Sequence, residues 1–334
     1  MNKFLLLLLL AFASCNSELD SLIFQQFQRF IKKYNKKYDS MNEYLARYEV
    51  FKRNCIENFS VERKTYKTGI TKFSDLTKQE FFKTYLTLNY DAMAMANFDP
   101  IYITPSNAAP TNYDWRNYGG MTVKDQGNCG SCWAFATTGN LEFLYYRAKG
   151  VFKTLSEQML VDCDTSDSGC NGGLVEYTLT WIKKNGGIMY DADYPYTGVK
   201  AVCKSDKSKY ADFEVTRYFK VGSSTSIFSP VDEDEIKEFL YETGPLAIAL
   251  NATPLQYYTS GILDVKSSEC PASGINHSVL LVGYGVDADS GMAYWTIKNS
   301  WGKDWGESGY FRIRRGNGTC GVNNYIITAV IALK

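Results

Sequence analysis

The sequence holds one histidine among 334 residues, His277. That scarcity excludes multi-histidine zinc sites and two-histidine facial triads, and it sends any imidazole chemistry through one position. Net charge is absent too, since 36 Lys and Arg balance 36 Asp and Glu. Such a chain has no global attraction for nucleic acid or an anionic membrane surface. Long apolar runs are missing: the N-terminal run from Phe4 to Phe12 covers nine residues, and no later stretch approaches the roughly 18 that a membrane span needs. There is no internal repeat. The acidic group Asp162, Asp164 and Asp167 lacks the glycine and terminal glutamate of a calcium loop, so it reads as a solvated turn.

What is present is the composition of a globular protein, 45% hydrophobic and 22% charged. Lys3, the apolar run and the small residues Ala11 and Ala13 have the layout of a secretory signal cleaved near Ala13 or Cys15, so residues 1–15 are assigned to it. The mature chain is then expected in an oxidising compartment. Of nine cysteines, removing Cys15 and setting aside the isolated Cys55 leaves seven, all after Asn128. Six can pair and one must stay free, and an unpaired thiol in a secreted chain is a candidate nucleophile. Six cysteines allow 15 pairings, so parity alone identifies neither the bridges nor the free thiol.

The chain divides near Ala108 into a part with 15 basic and 11 acidic residues and a part with 21 and 25, a bias that favours association of the two. In the first part, Ile23, Phe27, Phe30 and Tyr34 recur at helical spacing, as do Leu45, Tyr48, Phe51, Cys55 and Phe59. Gly69 to Asp75 alternates like a short strand, Gln79 to Leu88 fits a helix, and Asn89 to Pro110 reads as a linker. In the second part the spacing predicts helices over Cys132–Lys149, Ser156–Cys163, Gly173–Asn185 and Asp232–Tyr241. Strands are predicted over Leu246–Leu250, Ser278–Tyr284, Tyr294–Lys298 and Tyr310–Arg314. Helices first and strands second give an α+β fold in two packed halves.

The segment Gln126-Gly127-Asn128-Cys129-Gly130-Ser131-Cys132-Trp133 places a Cys-x-x-Cys at the opening of a predicted helix. Free N–H groups and the helix dipole favour a thiolate there, and an imidazolium would favour it further. The sole imidazole lies about 145 positions downstream, the spacing expected of papain-type enzymes. With Ser168-Gly169-Cys170-Asn171-Gly172-Gly173, Asn276-His277-Ser278 and Asn299-Ser300-Trp301-Gly302 through Trp305-Gly306 to Gly309-Tyr310, the chain resembles the papain family of cysteine peptidases, specifically a cathepsin L-like zymogen. A redox Cys-x-x-Cys would need none of these distant blocks.

The resemblance implies a two-lobe fold, with a helical left lobe and a β-barrel-like right lobe, preceded by a helical inhibitory prosegment. It implies Cys132 as nucleophile, His277 as its base, Asn299 as the residue orienting the imidazole and Trp301 as the cover over that bond. Gln126 and the Cys132 N–H would form the oxyanion hole. Bridges Cys129–Cys170, Cys163–Cys203 and Cys270–Cys320 follow from the family, leaving Cys132 free. Gly172 and Gly173 match the strand edge that pairs with substrate backbone. Leu174, Val175, Ala249, Ile275 and Ser278 match the wall of the pocket for the residue two before the scissile bond, with Tyr325 at its floor. A ring there makes the pocket shallow and favours Val or Leu over Phe. Neither cofactor nor metal is implied.

In the second helix Glu43, Arg47, Phe51 and Asn54 match a prosegment motif, while Asn58 and Glu62 depart from it. Gly69, Phe73 and Asp75 match another, with Thr71 in place of the usual asparagine. Residues 16–108 are thus expected to be an inhibitory propeptide and 109–334 the mature peptidase, acting as a monomer on peptide or protein substrates. Its expected location is the secretory pathway, ending in a lysosome- or vacuole-like compartment or outside the cell. Asn58, Asn251, Asn276 and Asn317 begin Asn-x-Ser/Thr sites, of which Asn276 is expected to be buried and unused. The alternative reading is a non-catalytic relative that uses the cleft for binding or inhibition, against which the joint presence of Cys132, His277, Asn299 and Gln126 argues.

Overall fold

A computed structural model describes residues 3–59, 65–88, 100–101, 108–119, 121–222 and 229–334. The helices are α1 (Lys3–Lys33), α2 (Met41–Phe59), α3 (Lys78–Tyr85), α4 (Cys132–Lys149), α5 (Glu157–Cys163), α6 (Val175–Asn185) and α7 (Glu233–Thr243). The strands are β1 (Tyr66–Thr68), β2 (Pro100–Ile101), β3 (Tyr113–Asp114), β4 (Phe213–Val221), β5 (Leu246–Leu250), β6 (Tyr258–Leu263), β7 (His277–Val286), β8 (Ala293–Lys298), β9 (Tyr310–Arg314) and β10 (Tyr325–Leu333). Among the described residues no helix is long and apolar enough to cross a membrane. Helix α1 runs unbroken through the expected signal cleavage point, and most of the linker expected over Asn89–Pro110 lies outside the described residues.

Residues chosen for their capping chemistry start several helices. Ser156 accepts from Met159 N–H ahead of α5, Asp232 from Asp234 N–H ahead of α7, and Thr77 and Glu80 form a reciprocal capping box on α3. Gly150 and Gly186 take the left-handed conformation that ends α4 and α6. Helix α4 is buried on nearly every side because it lies between two cores. Phe143 joins the core of the β half, while Trp133, Ala136, Leu141 and Tyr145 join that of the helical half. Its Asn140 Nδ2 donates to Pro245 O and Thr328 Oγ1, tying the helix to the sheet.

The strands pair in the order β1-β6-β9-β8-β7-β5-β10-β4-β2, with β3 on β7. The path does not close, so the barrel-like lobe is an open sheet, and the first segment occupies both of its ends: β1 lies antiparallel to β6 and β2 parallel to β4. Covering an edge in this way satisfies backbone groups that would otherwise pair with another chain. The strand expected over Gly69–Asp75 is instead a series of turns, and the pairing falls on Tyr66–Thr68 just before it. Thr71 Oγ1 donates to the Gln256 carbonyl at 2.6 Å, and Ser74 Oγ accepts from Thr71 N–H, so these residues dock side chains where the period suggested a ladder.

The prosegment motif has a packing logic. Phe51 joins Ile23, Phe27 and Phe30 in a separate core between α1 and α2. Asn54 Nδ2 donates to both Ser74 O and Leu76 O at 2.9 Å, and Arg47 reaches Glu80 at 2.8 Å and Asp75 O at 3.2 Å. These bonds hang the turn 71–76 from α2. The turn carries Phe73, fully buried against Phe81, Tyr85 and Trp301. Truncating a buried phenylalanine costs about 3–5 kcal/mol, so Phe73→Ala should loosen the first segment from the second. Limited proteolysis of the full chain checks this: cleavage within residues 66–88 should speed up at least about tenfold, and an unchanged rate would refute the role of this contact.

Candidate active site

The turn Gln126–Ser131 delivers Cys132 to the first position of α4. Cys129 is bridged to Cys170, and Gly130 N–H donates to Cys170 O at 2.9 Å. A Cβ on Gly130 would lie 2.5 Å from that carbonyl and from Thr87, so only glycine fits. Cys163–Cys203 and Cys270–Cys320 are the other bridges, and Cys132 is left unpaired and buried. Backbone N–H groups of Ser278 and Trp133 and the Thr87 hydroxyl approach its sulfur.

Strand β7 begins at His277, next to the Ser278 whose N–H approaches that sulfur. His277 Nε2 lies 2.9 Å from Asn299 Oδ1, which also accepts Ser300 N–H at 2.8 Å, so the amide is held oxygen-first toward the ring. An amide oxygen needs a donor, which places a proton on Nε2. Trp301 lies over the imidazole with ring centres 4.8 Å apart, and Trp305 packs edge-on against Trp301. Among the described residues Nδ1 makes no hydrogen bond of good geometry, and the Tyr85 carbonyl approaches the ring. Gln126 is fully buried, its Oε1 accepting from Ser300 Oγ at 2.6 Å and its Nε2 donating one hydrogen to Cys129 O at 2.9 Å.

The first segment lies across this constellation. Thr87 Oγ1 donates to Gly130 O at 3.0 Å, and Leu88 N–H donates to Asn276 O at 3.1 Å, so residues 87–88 bond to both walls. Gly172, with φ 116°, lets the Thr87 carbonyl come so near that a Cβ would sit 2.1 Å from it. At Gly173 the atoms nearest to an added Cβ belong to Asp167 and Trp133, for which its missing side chain makes room. Leu88 is buried in the apolar cluster that contains Leu174, Val175, Ala249, Ile275 and Tyr325. Ser278 is buried and also lines a small cavity with Lys298 and Asn299. Burial acts on both reactive groups: it pushes the Cys132 thiol up to about 11 and the His277 imidazole down to about 4, the latter opposed by the Asn299 bond.

Residues 109–330 match the family described as papain family cysteine protease, and residues 27–81 match the cathepsin propeptide inhibitor domain. The chain belongs to the papain family of cysteine proteases. Among similar proteins is cysteine proteinase 15A of Pisum sativum, 42% identical over 92% of this chain and 86% of its own length. Cysteine proteinase 1 of Dictyostelium discoideum is 39% identical over 92% of each chain. Of solved structures, digestive procathepsin L 3 of Tenebrio molitor larval midgut superimposes with a TM-score of 0.82 at 33% identity, covering 92% of this chain and 99% of its own. The protein is thus a cysteine protease that carries its own propeptide inhibitor domain and is made as a zymogen.

One expectation about this protease changes. Asp164 and Asp167 are not a solvated turn: both are buried. Asp167 accepts from Leu174 N–H at 2.8 Å and from Thr178 Oγ1 at 3.0 Å, bracing the chain beside Gly173, while Asp164 caps Ser166. The missing calcium-loop residues excluded a metal but said nothing of burial. Tyr325 is buried, and its phenol donates to Glu176 at the start of α6. Ser300, inside a motif block but unassigned, proves to orient both Gln126 and Asn299. Its place between Asn299 and Trp301 was the available signal.

These buried acids give a pH dependence. Burial lifts Asp167 from 3.8 to about 8 and Glu176 from 4.5 to about 7, so the folded protein holds protons that the unfolded chain releases. Stability from these groups is intact below their unfolded values and falls as pH rises toward the folded ones. His277 has the opposite sign, being neutral when folded down to about 4, so its contribution grows until pH passes its ordinary 6.5. Above that point only the loss remains. The melting temperature of the Cys132→Ala precursor should therefore drop between about pH 6.5 and about pH 8, with Asp167→Asn flattening the drop. Equal melting at both pH values would contradict the assignment.

Proposed function

We propose that Cys132 and His277 are the catalytic pair of a cysteine endopeptidase. The observation that carries this is the position of the one unpaired cysteine beyond the prosegment, at the head of α4 beside the His277–Asn299 hydrogen bond. The Cys132 thiolate attacks the scissile carbonyl carbon and its electron pair moves onto the carbonyl oxygen. Collapse of that intermediate expels the amine, which takes its proton from the His277 imidazolium, and a thioester remains. Water, deprotonated by His277, then attacks the thioester, releasing the acid and restoring the thiol proton to the pair. Gln126 Nε2 and the Cys132 N–H receive the oxyanion, Asn299 holds the ring, and Trp301 keeps water from the His277–Asn299 bond.

In the precursor both groups rest neutral because both are dry. Departure of residues 87–88 admits water and lets the proton pass from sulfur to imidazole. The proposed boundaries are a signal over 1–15, a propeptide over 16–108 and a mature peptidase over 109–334, with the cut near Ala109. The wall from Leu174, Val175, Ala249 and Ile275 to Tyr325 would take the residue two before the scissile bond, where the zymogen holds Leu88, and would favour Val or Leu over Phe. The signal, three bridges and the similarity to cathepsins support passage through the secretory pathway to a lysosome- or vacuole-like compartment or the exterior, as a monomer. Asn251 and Asn276 are buried with their amides committed, and the half-buried Asn58 amide donates to Asn54 O, leaving exposed Asn317 as the glycan site of choice.

Cys132→Ala should lower peptide hydrolysis after acid processing by at least about 10⁴-fold; retained activity would remove the proposed nucleophile. A thiol-directed epoxide should label the processed enzyme at Cys132 and the intact precursor at least about a hundredfold more slowly. Equal labelling of the two forms would contradict the dry resting pair. Acid release is proposed to follow from protonating carboxylates that hold the two oppositely biased parts together. Processing that runs equally fast at neutral and acidic pH would dismiss that trigger.

A further inference from the structure

Tyr196 belongs to none of the motif blocks, yet its hydroxyl sits between the two segments that supply the proposed oxyanion donors. It donates to the carbonyl of Gln126 at 2.8 Å. With its one proton so used, it accepts from Ser131 Oγ, 2.7 Å away. Its ring packs edge-on against Phe135 in the first turn of α4, with centres 4.9 Å apart. One side chain thus spans the turn from Gln126 to Ser131 and rests on the helix that begins at Cys132.

The bond to Ser131 has a second consequence. Ser131 is the N-cap of α4, where a serine hydroxyl normally accepts an N–H of the first turn, but here it makes no such bond. Tyr196 engages that hydroxyl instead. The helix thus opens at Cys132, whose N–H is the second proposed oxyanion donor, with no side-chain cap on the N–H groups that follow it.

Tyr196 is itself held firmly. Gln158 on α5 accepts Thr197 N–H at 2.8 Å and donates to Val199 O at 2.8 Å. Asp162 accepts Ala201 N–H at 2.7 Å and the Tyr194 hydroxyl at 2.9 Å, and Cys163–Cys203 staples the same segment to the same helix. A clamp works only if its base is rigid, and this base is anchored on both sides of Tyr196.

We propose that Tyr196 is a positioning residue for the oxyanion hole: it fixes Gln126 relative to Cys132 and keeps the Ser131 hydroxyl out of the helix terminus. This rests on the assignment of Gln126 and the Cys132 N–H as oxyanion donors. Donors that stabilise a transition state must be placed before the charge develops, so loss of the clamp lowers kcat and leaves substrate binding nearly untouched.

The test uses enzyme processed from full-length precursor, with Tyr196→Phe, which keeps the ring, and Ser131→Ala, which removes the other partner of the hydroxyl. For a peptide amide substrate, Tyr196→Phe should lower kcat about tenfold with KM within about twofold. Affinity for a peptide aldehyde, whose adduct with the thiol carries the oxyanion, should fall by a similar factor. Alkylation of Cys132 by iodoacetamide needs no oxyanion donor and should keep its rate and pH profile. In a Gln126→Ala background the Tyr196→Phe effect should shrink to less than about threefold. Unchanged kcat in Tyr196→Phe and Ser131→Ala, alkylation falling in parallel with kcat, or a full tenfold loss in the Gln126→Ala background would each overturn the proposal. If Gln126→Ala itself lowers kcat and aldehyde affinity, such a failure belongs to Tyr196 alone. If Gln126→Ala changes neither, the oxyanion assignment falls and the clamp with it.

Discussion

A sulfur and an imidazole shut away from water together are the constraint on which the rest of this molecule turns. As an ion pair each would be stabilised by its partner, but both charges would lose hydration, and in a dry site that loss outweighs their attraction. The neutral forms therefore prevail, with the thiol raised to about 11 and the imidazole lowered to about 4. The helix terminus and the N–H groups around Cys132 oppose this shift without overcoming it. Under the catalytic assignment proposed above, access of water would decide the charge of the pair, and residues 87–88 of the prosegment, bonded to both walls, would decide that access.

The prosegment achieves this with many modest contacts. Phe73, Phe81 and Tyr85 surround Trp301, which in turn covers His277, so one aromatic stack links the docking surface to the imidazole. Apolar burial of this kind contributes most of the docking energy. The exposed Lys72–Asp125 pair adds at most about 1 kcal/mol. Strand β1 on the edge of β6 and Thr71 on Gln256 give direction more than strength. Asp75 differs, since its carboxylate is buried inside the prosegment and ties Lys36 and Tyr38 to the turn that bears Phe73.

Much of this was legible in the chain. Helix α4 and strands β5 and β9 begin and end where periodicity places them, because a cap residue, Gly150 or Gly244-Pro245 punctuates each pattern. The lone histidine, cysteine parity and the separated motif blocks located the site. Strands β4, β6 and β10 were not read, for different reasons. In β4 the alternation is interrupted by buried Phe219, Lys220 and Val221 in succession, and in β6 Gly261 sits mid-strand. Strand β10 opens as a continuous apolar run, Tyr325 to Ile327, buried on both faces, which periodicity cannot tell from a helix. Ser300 and Tyr196 bond to Gln126 across 174 and 70 positions of sequence, and no local pattern encodes such a partner.

The short spacing of Gly130, Ser131 and Cys132 also explains why so much support comes from outside the turn. Gly130 must lack a side chain because Cys170 O and Thr87 press on it, and Ser131 gives up its capping role. Neither residue can stiffen the backbone: a glycine adds freedom, and an uncapped first turn frays more easily. The stiffness therefore has to be supplied by neighbours whose own positions are fixed. The Cys129–Cys170 bridge holds one side of the turn, Ser300 holds Gln126 from the β half, and Tyr196 holds both ends from the helical half. The turn is thus held from both lobes at once, and its rigidity comes from bonds that its own residues do not make.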